Sequence, residues 1–160
     1  MAETISGRRV LVTGADGFIG SHLVELLVAQ GAEVRAMIYY NSWSDIGWLR
    51  DVPREMFANI ELLPSDIRDA ERVRQAVKGC DYVFHLASLI AIPYSYEASR
   101  SYVDTNVTGA LNVLQACRES DSLTRLVHVS TSEVYGTAQI VPIPESHPLV
   151  GQSPYSATKI

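Results

Sequence analysis

An α/β fold with an open, doubly wound parallel sheet is predicted for this chain of 160 residues, on three observations. Short apolar runs alternate with segments of helical period along the chain, which is typical of repeated β-α units. Gly14, Gly17 and Gly20 lie between the first apolar run and the first helical segment. Right-handed crossovers between such units place the strands parallel, with helices on both faces, as in a Rossmann fold.

The five predicted strands are short runs rich in Val, Leu and other apolar residues. The first contains the continuous apolar run Val10, Leu11 and Val12, as expected of a strand that is covered on both faces. The predicted strands are residues 8–13, 33–39, 60–63, 82–86 and 125–130.

Three helices are predicted between the strands. The first is expected to end at Gly31, a short second one covers residues 69–78, and the third covers residues 100–118. Apolar residues at helical spacing are expected to face the sheet. They are Ile19, Leu23, Leu26 and Leu27 in the first helix, Val73 and Val77 in the second, and Val103, Val107, Leu111, Leu114 and Cys117 in the third.

Composition narrows the class of protein. The formal net charge is −5 and no run of Lys or Arg occurs, which argues against nucleic acid or an anionic membrane as a partner. No apolar stretch approaches the roughly 18 residues of a membrane span and no signal peptide is recognised, so we expect a cytoplasmic protein. Cys80 and Cys117 are interpreted as small buried hydrophobic residues. No metal site is expected, because His85, His128 and His147 lack a ligand spacing.

The glycine turn predicts a phosphate site. In such a strand-to-helix turn, the first Gly permits the turn, the second lets the backbone approach a pyrophosphate, and the third lets the helix pack close to the strand. The diphosphate then lies at the helix N-terminus, where amide groups and the helix dipole favour an anion. We therefore expect a dinucleotide cofactor, with Phe18 and Ile19 completing the turn.

The end of the second strand bears on the choice of cofactor. An Asp or Glu there would bind the ribose hydroxyls of NAD, and a nearby Arg would accommodate NADP. Neither is present. Tyr39, Asn41 and Ser42 supply neutral hydrogen-bonding groups, and the missing cation favours NAD, with NADP as the alternative. Trp43 and Trp48 in the following loop are interpreted as loop packing.

Ligands of such sheets bind beyond the carboxyl ends of the strands. After the third strand, Asp66 and Ile67 lie where a carboxylate would meet the adenine amino group. A helix N-cap role for Asp66 or Asp69 fits the pattern equally well.

Tyr155 and Lys159 are candidate catalytic residues. Ser153 and Pro154 are typical of the N-cap and the first position of a helix. Tyr155 and Lys159 then lie one turn apart on the same helical face. A phenol is a weak base at neutral pH, and a neighbouring cation favours the phenolate. Such a pair alone is common, but this one follows a dinucleotide turn and a strand that ends in polar residues.

Together these motifs resemble the extended short-chain dehydrogenases/reductases, in the NAD-dependent epimerase/dehydratase family. The resemblance covers the whole chain and rests on Thr-Gly-x-x-Gly-x-x-Gly at 13–20, His-Leu-Ala at 85–87, Asn106 with Gly109, and Tyr-x-x-x-Lys at 155–159. Residues 130–136 are similar to nucleotide-sugar 4,6-dehydratases of the GDP-mannose type. Residues 39–42, 91–96 and 151–155 are most similar to dehydratases of the legionaminic acid pathway, which act on a nucleotide-linked N-acetylglucosamine.

The resemblance implies that residues 1–160 are an NAD(P)-binding Rossmann domain. Further cofactor contacts are then expected at Leu86, Ala87, Ser88, Asn106 and Val129, and also at Tyr155 and Lys159.

The resemblance also implies a redox-neutral lyase reaction on a nucleotide sugar. Tyr155, helped by Lys159 and with Thr131 hydrogen-bonded at the sugar O4, would take the C4 hydroxyl proton while a hydride passes to the nicotinamide. Glu133 would remove the acidified C5 proton, and Glu133 or Ser132 would protonate the leaving C6 hydroxyl before the hydride returns to C6. Elimination needs a carboxylate base that simple hydride transfer does not, and Glu133 follows the end of the fifth strand.

Two alternatives remain at this point. An NDP-sugar 4-epimerase or a UDP-glucuronate decarboxylase is the alternative within the fold, since one fold serves many chemistries. Epimerases need no base at position 133, and decarboxylases usually have a longer gap between the Thr-Ser-Glu run and the Tyr. A dinucleotide-sensing regulatory protein is the alternative outside enzymes. Such proteins commonly lose the Tyr or the Lys, and both are present here.

Ile160 directly follows Lys159, so the family's C-terminal substrate domain is expected to lie outside these residues. The helix that begins near Tyr155 normally forms much of the family's dimer interface, and a homodimer is expected for the full-length protein. The 160 residues alone are expected to bind dinucleotide weakly and to turn over no nucleotide sugar.

Overall fold

A computed structural model describes residues 4–160. Its five strands are β1 (Arg9–Thr13), β2 (Glu33–Tyr39), β3 (Ile60–Ser65), β4 (Tyr82–His85) and β5 (Arg125–His128). They form one parallel sheet in the order β3-β2-β1-β4-β5. The chain reverses its direction of travel across the sheet between β1 and β4, and such a switch point is where ligands bind. The predicted doubly wound parallel sheet is confirmed.

Helices connect the strands. They are α1 (Phe18–Ala29), α2 (Ala70–Val77), α3 (Ile92–Glu97), α4 (Ser99–Tyr102), α5 (Gly109–Arg118) and α6 (Pro154–Ala157). A π-helical turn, Val103–Thr108, joins α4 to α5, so these three together form the predicted third helix. Helix α3 and the short 3-10 helices Gly47–Asp51, Arg54–Asn59 and Ser132–Tyr135 are additional to the prediction.

The apolar core lies on both faces of the sheet. Val10 and Val12 of β1 belong to the cluster that α1 covers, whereas Leu11 belongs to the cluster that α2 and α5 cover. Alternate residues of a strand point to opposite faces, so both sides of β1 are apolar. This explains why Val10, Leu11 and Val12 follow one another without a polar residue between them.

The buried side of α1 matches the prediction in part, because Leu27 is buried and Leu23 packs against the core. Ile19 is 67% and Leu26 54% exposed, and the buried positions are Gly20, Ser21, Val24, Leu27 and Val28. The cause is Gly20, where a Cβ would lie 2.1 Å from the carbonyl oxygen of Gly14. The helix therefore packs closely against the glycine turn, and the same side buries Val24, Leu27 and Val28.

The predicted sheet-facing stripe of the third helix is also wrong, apart from Cys117, which is buried. Val103, Val107, Leu111 and Leu114 are 44–50% exposed, and the buried positions are Tyr102, Asn106, Gly109, Val113, Ala116 and Cys117. Gly109 permits close packing, since a Cβ there would lie 2.2 Å from Cγ1 of Ile67. The helix is apolar on two sides, so its period alone does not identify the buried one.

Two smaller predictions are confirmed, namely the end of the first helix at Gly31 and the burial of the two cysteines. Gly31, with φ +85°, follows the C-cap of α1, and Cys80 and Cys117 are buried free thiols. Among residues 4–160, no helix is both long and apolar enough to cross a membrane. In the same residues, no three His, Cys, Asp or Glu side chains are grouped as metal ligands would be.

Candidate active site

A cleft of about 1160 Å³ opens at the carboxyl ends of the strands. Most of the predicted site residues line it, although they come from separate segments of the chain. They are Gly14, Gly17, Phe18, Ile19, Gly20, Tyr39, Asp66, Ile67, Leu86, Ala87, Ser88, Val129, Thr131, Tyr155 and Lys159. The glycine turn and the Tyr-Lys pair therefore face the same cavity.

The glycine turn leaves an open cradle at the start of α1. Gly14 has φ +68°, and a Cβ there would lie 2.9 Å from the backbone N of Ala87. Gly17 is the N-cap of α1 and makes no side-chain cap hydrogen bond, so no side chain covers the first amide groups of the helix. A backbone without side chains at a helix N-terminus fits a diphosphate group.

Thr13, at the end of β1, supports the loop after β4, which forms another part of the cleft lining. Its Oγ1 accepts the backbone N–H groups of Leu86 (3.2 Å) and Ala87 (3.1 Å) and lies 2.8 Å from Nδ1 of His85. These contacts are buried or partly buried, and they hold the loop after β4 against β1.

Helix α6 carries Tyr155, whereas Lys159 lies in a turn two residues beyond the end of the helix, so the two residues do not share the predicted helical face. Ser153 forms a capping box with Ser156, which confirms the predicted helix start. Tyr155 and Lys159 are both buried. The ammonium of Lys159 donates to the carbonyl oxygen of Val129 across 2.8 Å, and burial lowers the pKa of Lys159 below its ordinary value. An amine and a phenol therefore line the same cleft.

Asn106 lies behind the cleft and does not line it. Its Oδ1 accepts the N–H of Leu89 (2.8 Å), and its Nδ2 donates to the carbonyl oxygen of Leu89 (3.0 Å) and to Oγ1 of Thr158 (3.0 Å). The side chain therefore ties the loop after β4 to α6. Its predicted contact with the cofactor stays a prediction.

Four other predicted residues are outside the cleft lining, namely Asn41, Ser42, Ser132 and Glu133. The amide of Asn41 is used within its own loop, where it donates to the carbonyl oxygen of Asp45 (2.8 Å) and accepts the N–H of Trp43 (3.1 Å). Glu133 is exposed, and its backbone N–H donates to Oγ1 of Thr131 (3.3 Å) at the start of a 3-10 helix. The roles assigned to these four residues also stay predictions.

Several cleft residues were missed by sequence reasoning. Asp16, Trp48, Arg68 and Tyr94 line the cavity with the predicted residues. Trp48 is 51% exposed and packs edge-on against the ring of Phe18, with centroids 5.4 Å apart. The interpretation of Trp43 as loop packing is wrong, because its side chain is 89% exposed. The sequence alone does not show whether an indole ring in a loop lines the cleft, as Trp48 does, or extends into solvent, as Trp43 does.

The two acidic residues after β3 have separate roles. Asp69 is the N-cap of α2, and its side chain accepts the N–H groups of Glu71 and Arg72. Both carboxylate oxygens of Asp66 lie 3.0 Å from Nε of Arg68, and this hydrogen bonding lowers the pKa of Asp66. Asp66, which lines the cleft, is therefore charged and paired.

Residues 11–160 match the model of the GDP-mannose 4,6-dehydratase family. The chain belongs to this family of extended short-chain dehydrogenases/reductases. Members of the family are NAD-dependent nucleotide-sugar enzymes, and 4,6-dehydratases, epimerases and decarboxylases all occur among the relatives of this chain.

Three relatives illustrate the range of the family. The chain is 35% identical over 158 residues to the dTDP-glucose 4,6-dehydratase of Mycobacterium tuberculosis, covering 94% of this chain and 45% of the relative. It is 36% identical over 130 residues to the UDP-N-acetyl-α-D-glucosaminuronate decarboxylase of Bacillus cytotoxicus, covering 81% of this chain and 38% of the relative. The UDP-glucose 4-epimerase of Thermus thermophilus, solved in complex with NAD, superposes with a TM-score of 0.79 at 34% identity, covering 94% and 47% of the two chains. The chain thus spans less than half the length of each of these relatives.

Proposed function

We propose that this chain is the cofactor-binding part of a nucleotide-sugar 4,6-dehydratase, which converts an NDP-N-acetylglucosamine to the 4-keto-6-deoxy sugar. One observation carries the proposal. Tyr155, Lys159 and Thr131 line the same cleft as the glycine turn, and Thr131 begins the 3-10 helix that carries Glu133 and packs against α6. Elimination across C5 and C6 requires a base near the oxidised carbon, and the candidate carboxylate on this helix is Glu133, which is exposed and lies outside the cleft lining.

The residues of the cleft fit an NAD cofactor. Gly14, Gly17 and the N-terminus of α1 would hold its diphosphate, and Leu86, Ala87 and Val129 are candidate contacts for the rest of the molecule. When bound, NAD supplies a reversible hydride acceptor, which lets the sugar be oxidised at C4 and reduced at C6 with no net redox change.

Tyr155 is the proposed base for the C4 hydroxyl. The phenol is buried, and the ammonium of Lys159 is fixed in the same cleft by its hydrogen bond to Val129. Thr131 lines the cleft as well and is the proposed hydrogen-bond partner of the sugar O4.

Glu133 is the proposed base for the C5 proton. Once C4 is a ketone, the neighbouring C–H is acidic enough for a carboxylate to remove it. The proton then goes to the leaving C6 hydroxyl, directly from Glu133 or through Ser132, and water departs. Both residues lie on the 3-10 helix that follows Thr131.

An NDP-sugar 4-epimerase or a decarboxylase is the second candidate, since both activities occur among the relatives. A panel of nucleotide hexoses, incubated with the protein at its full natural length and analysed by mass spectrometry, separates the cases. The proposal predicts a product lighter by one water. A product of unchanged mass indicates an epimerase, loss of carbon dioxide from a uronic acid substrate indicates a decarboxylase, and either result contradicts the proposal.

A further inference from the structure

The carboxylate of Asp16 lies at the end of β2. Its Oδ2 accepts the backbone N–H of Tyr39, the last residue of that strand, across 3.2 Å. In dinucleotide sites, an Asp or Glu that ends this strand binds the ribose hydroxyls of the cofactor. This chain has a tyrosine there, and the glycine turn brings a carboxylate to the same place from another segment.

Contacts of Ala15 and Asp16 hold this part of the backbone in place. Its carbonyl oxygen accepts the N–H of Trp48 across 3.0 Å, and the N–H of Ala15 donates to the carbonyl oxygen of Met37 across 3.1 Å. Gly47 lies so close that a Cβ there would be 2.3 Å from the carbonyl oxygen of Asp16. The backbone of Asp16 is therefore held between the end of β2 and the loop that follows it.

Asp16 has an unused acceptor beside the cleft. The residue is half-buried and lines the cavity next to Tyr39 and Trp48. Within residues 4–160, its Oδ2 takes a hydrogen bond and its Oδ1 takes none. Oδ1 is thus available to hydroxyl groups of a ligand.

The cations of the cleft do not neutralise Asp16. In the part of the chain that the structure describes, the cations lining the cleft are Arg68 and Lys159. The guanidinium of Arg68 is held by Asp66, and the ammonium of Lys159 is held by Val129. Asp16 belongs to none of the ion pairs found among residues 4–160.

We propose that Asp16 binds the adenosine ribose of NAD and excludes NADP from the cleft, an assignment that rests on the proposed function. A carboxylate accepts hydrogen bonds from ribose hydroxyls, whereas a 2′-phosphate would bring a second negative charge against it. Asp16 thereby takes the role that an acidic residue at the end of β2 usually has.

Asp16→Asn separates the charge of this residue from its shape. The asparagine Oδ1 still accepts the N–H of Tyr39, so the loop contact survives while the negative charge is lost. The affinities of NADH and NADPH are measured by isothermal titration calorimetry, with the protein at its full natural length and without nucleotide sugar. The unmodified protein should prefer NADH by at least about 100-fold, and Asp16→Asn should lower this preference by at least about tenfold.

Two further variants serve as controls. Asp51→Asn removes one exposed carboxylate of the 3-10 helix Gly47–Asp51, which does not line the cleft, and should leave the preference unchanged. Asp16→Glu keeps the charge and should still reject NADPH, even where its longer side chain weakens NADH binding. If Asp16→Asn does not fold, Asp16→Glu decides, because tight NADPH binding by that variant contradicts exclusion by charge.

The outcomes distinguish this inference from the proposed function. An unchanged preference in Asp16→Asn, or equal binding of both cofactors by the unmodified protein, overturns the role of Asp16 and leaves the dehydratase proposal standing. Failure of the unmodified protein to bind either dinucleotide overturns both.

Discussion

The hydroxyl of Thr13 donates a hydrogen bond to Nδ1 of His85 across 2.8 Å, at the carboxyl ends of β1 and β4. The direction follows from the other contacts of the oxygen, which already accepts the N–H groups of Leu86 and Ala87 and keeps its own hydrogen for the imidazole. Nδ1 is therefore unprotonated, and His85 is neutral with its hydrogen on Nε2. The hydrogen bond between Thr13 and the neutral imidazole helps to hold the loop after β4, which lines the cleft, against β1.

Acid is expected to destabilise the fold through His85. Burial, followed by repulsion from His128 and Lys159, lowers the pKa of His85 from 6.5 to about 3. Between these values the unfolded chain binds a proton that the folded chain does not, so the free energy of unfolding falls as the pH is lowered from 6.5 towards 3, by at most about 1.4 kcal/mol per pH unit. Urea unfolding across this range measures the slope.

His85→Gln is the matched variant for this measurement, because its amide oxygen accepts from Thr13 and does not titrate. Carboxylates contribute equally to both proteins, so the difference between the two curves isolates His85. The variant should lose less stability than the unmodified protein on acidification. Parallel curves would show that His85 does not resist protonation.

Gly17→Ala and Gly20→Ala should separate cofactor binding from folding. A Cβ at Gly20 would meet the carbonyl oxygen of Gly14 at 2.1 Å, so that variant should lose at least about 2 kcal/mol of unfolding free energy. At Gly17, with φ −75° and a nearest neighbour at 3.3 Å, alanine should cost about 1 kcal/mol. Its methyl group would nevertheless lie where the backbone approaches the diphosphate, and NADH affinity should fall by at least about tenfold.

Chemical denaturation and calorimetric NADH titration, carried out on both glycine variants, test this separation. Equal losses of stability in the two proteins, or wild-type NADH affinity in Gly17→Ala, would contradict it.

Asn106→Ala should loosen the contact between the loop after β4 and α6. The variant loses three hydrogen bonds, two to Leu89 and one to Thr158, at a cost of about 2–4 kcal/mol. Hydrogen exchange at the amide of Leu89 should become faster. Asn106→Asp keeps the acceptor for that amide and loses the two donor contacts, so it should preserve the protection of Leu89 while also losing stability. Fast exchange in both variants would exclude the acceptor role.

Much of the fold and the principal site motifs were predictable because their signals are local. The apolar run, the glycine turn and the capping box at Ser153 each occupy a few consecutive residues, and the parallel sheet brings their ends together at one edge. The position of Tyr155 and Lys159 in the same cleft as Gly14 follows from that topology.

The remaining features depend on contacts between distant residues. The meeting of Asp16 with Tyr39 joins positions 23 apart in the chain, and that of Asn106 with Thr158 joins positions 52 apart. No periodic pattern encodes such pairs. Arg68 reaches the cleft from the loop after β3. The sequence pattern for an NADP-binding arginine applies to the end of β2 and therefore does not identify Arg68.

Val73 and Val77 of α2 are buried as predicted, whereas the buried sides of α1 and of the third helix were predicted only in part, for a different reason. The absence of a side chain at Gly20 and Gly109 allows α1 to pack closely against the glycine turn and the third helix to pack closely against Ile67. The spacing of large apolar residues does not mark Gly20 or Gly109 as buried positions. Close approach at these glycines sets the buried side together with the apolar residues beside them, such as Val24 and Val113.

Glu133→Gln tests the central claim most directly, that a carboxylate after β5 converts transient C4 oxidation into loss of water. With the nucleotide sugar that the protein accepts, the variant should still show the absorbance of reduced nicotinamide, while formation of the 4-keto-6-deoxy product falls by at least about 100-fold. Tyr155→Phe, the control, should abolish both signals. Dehydration at the unmodified rate by Glu133→Gln, or cofactor reduction by Tyr155→Phe, would contradict the account.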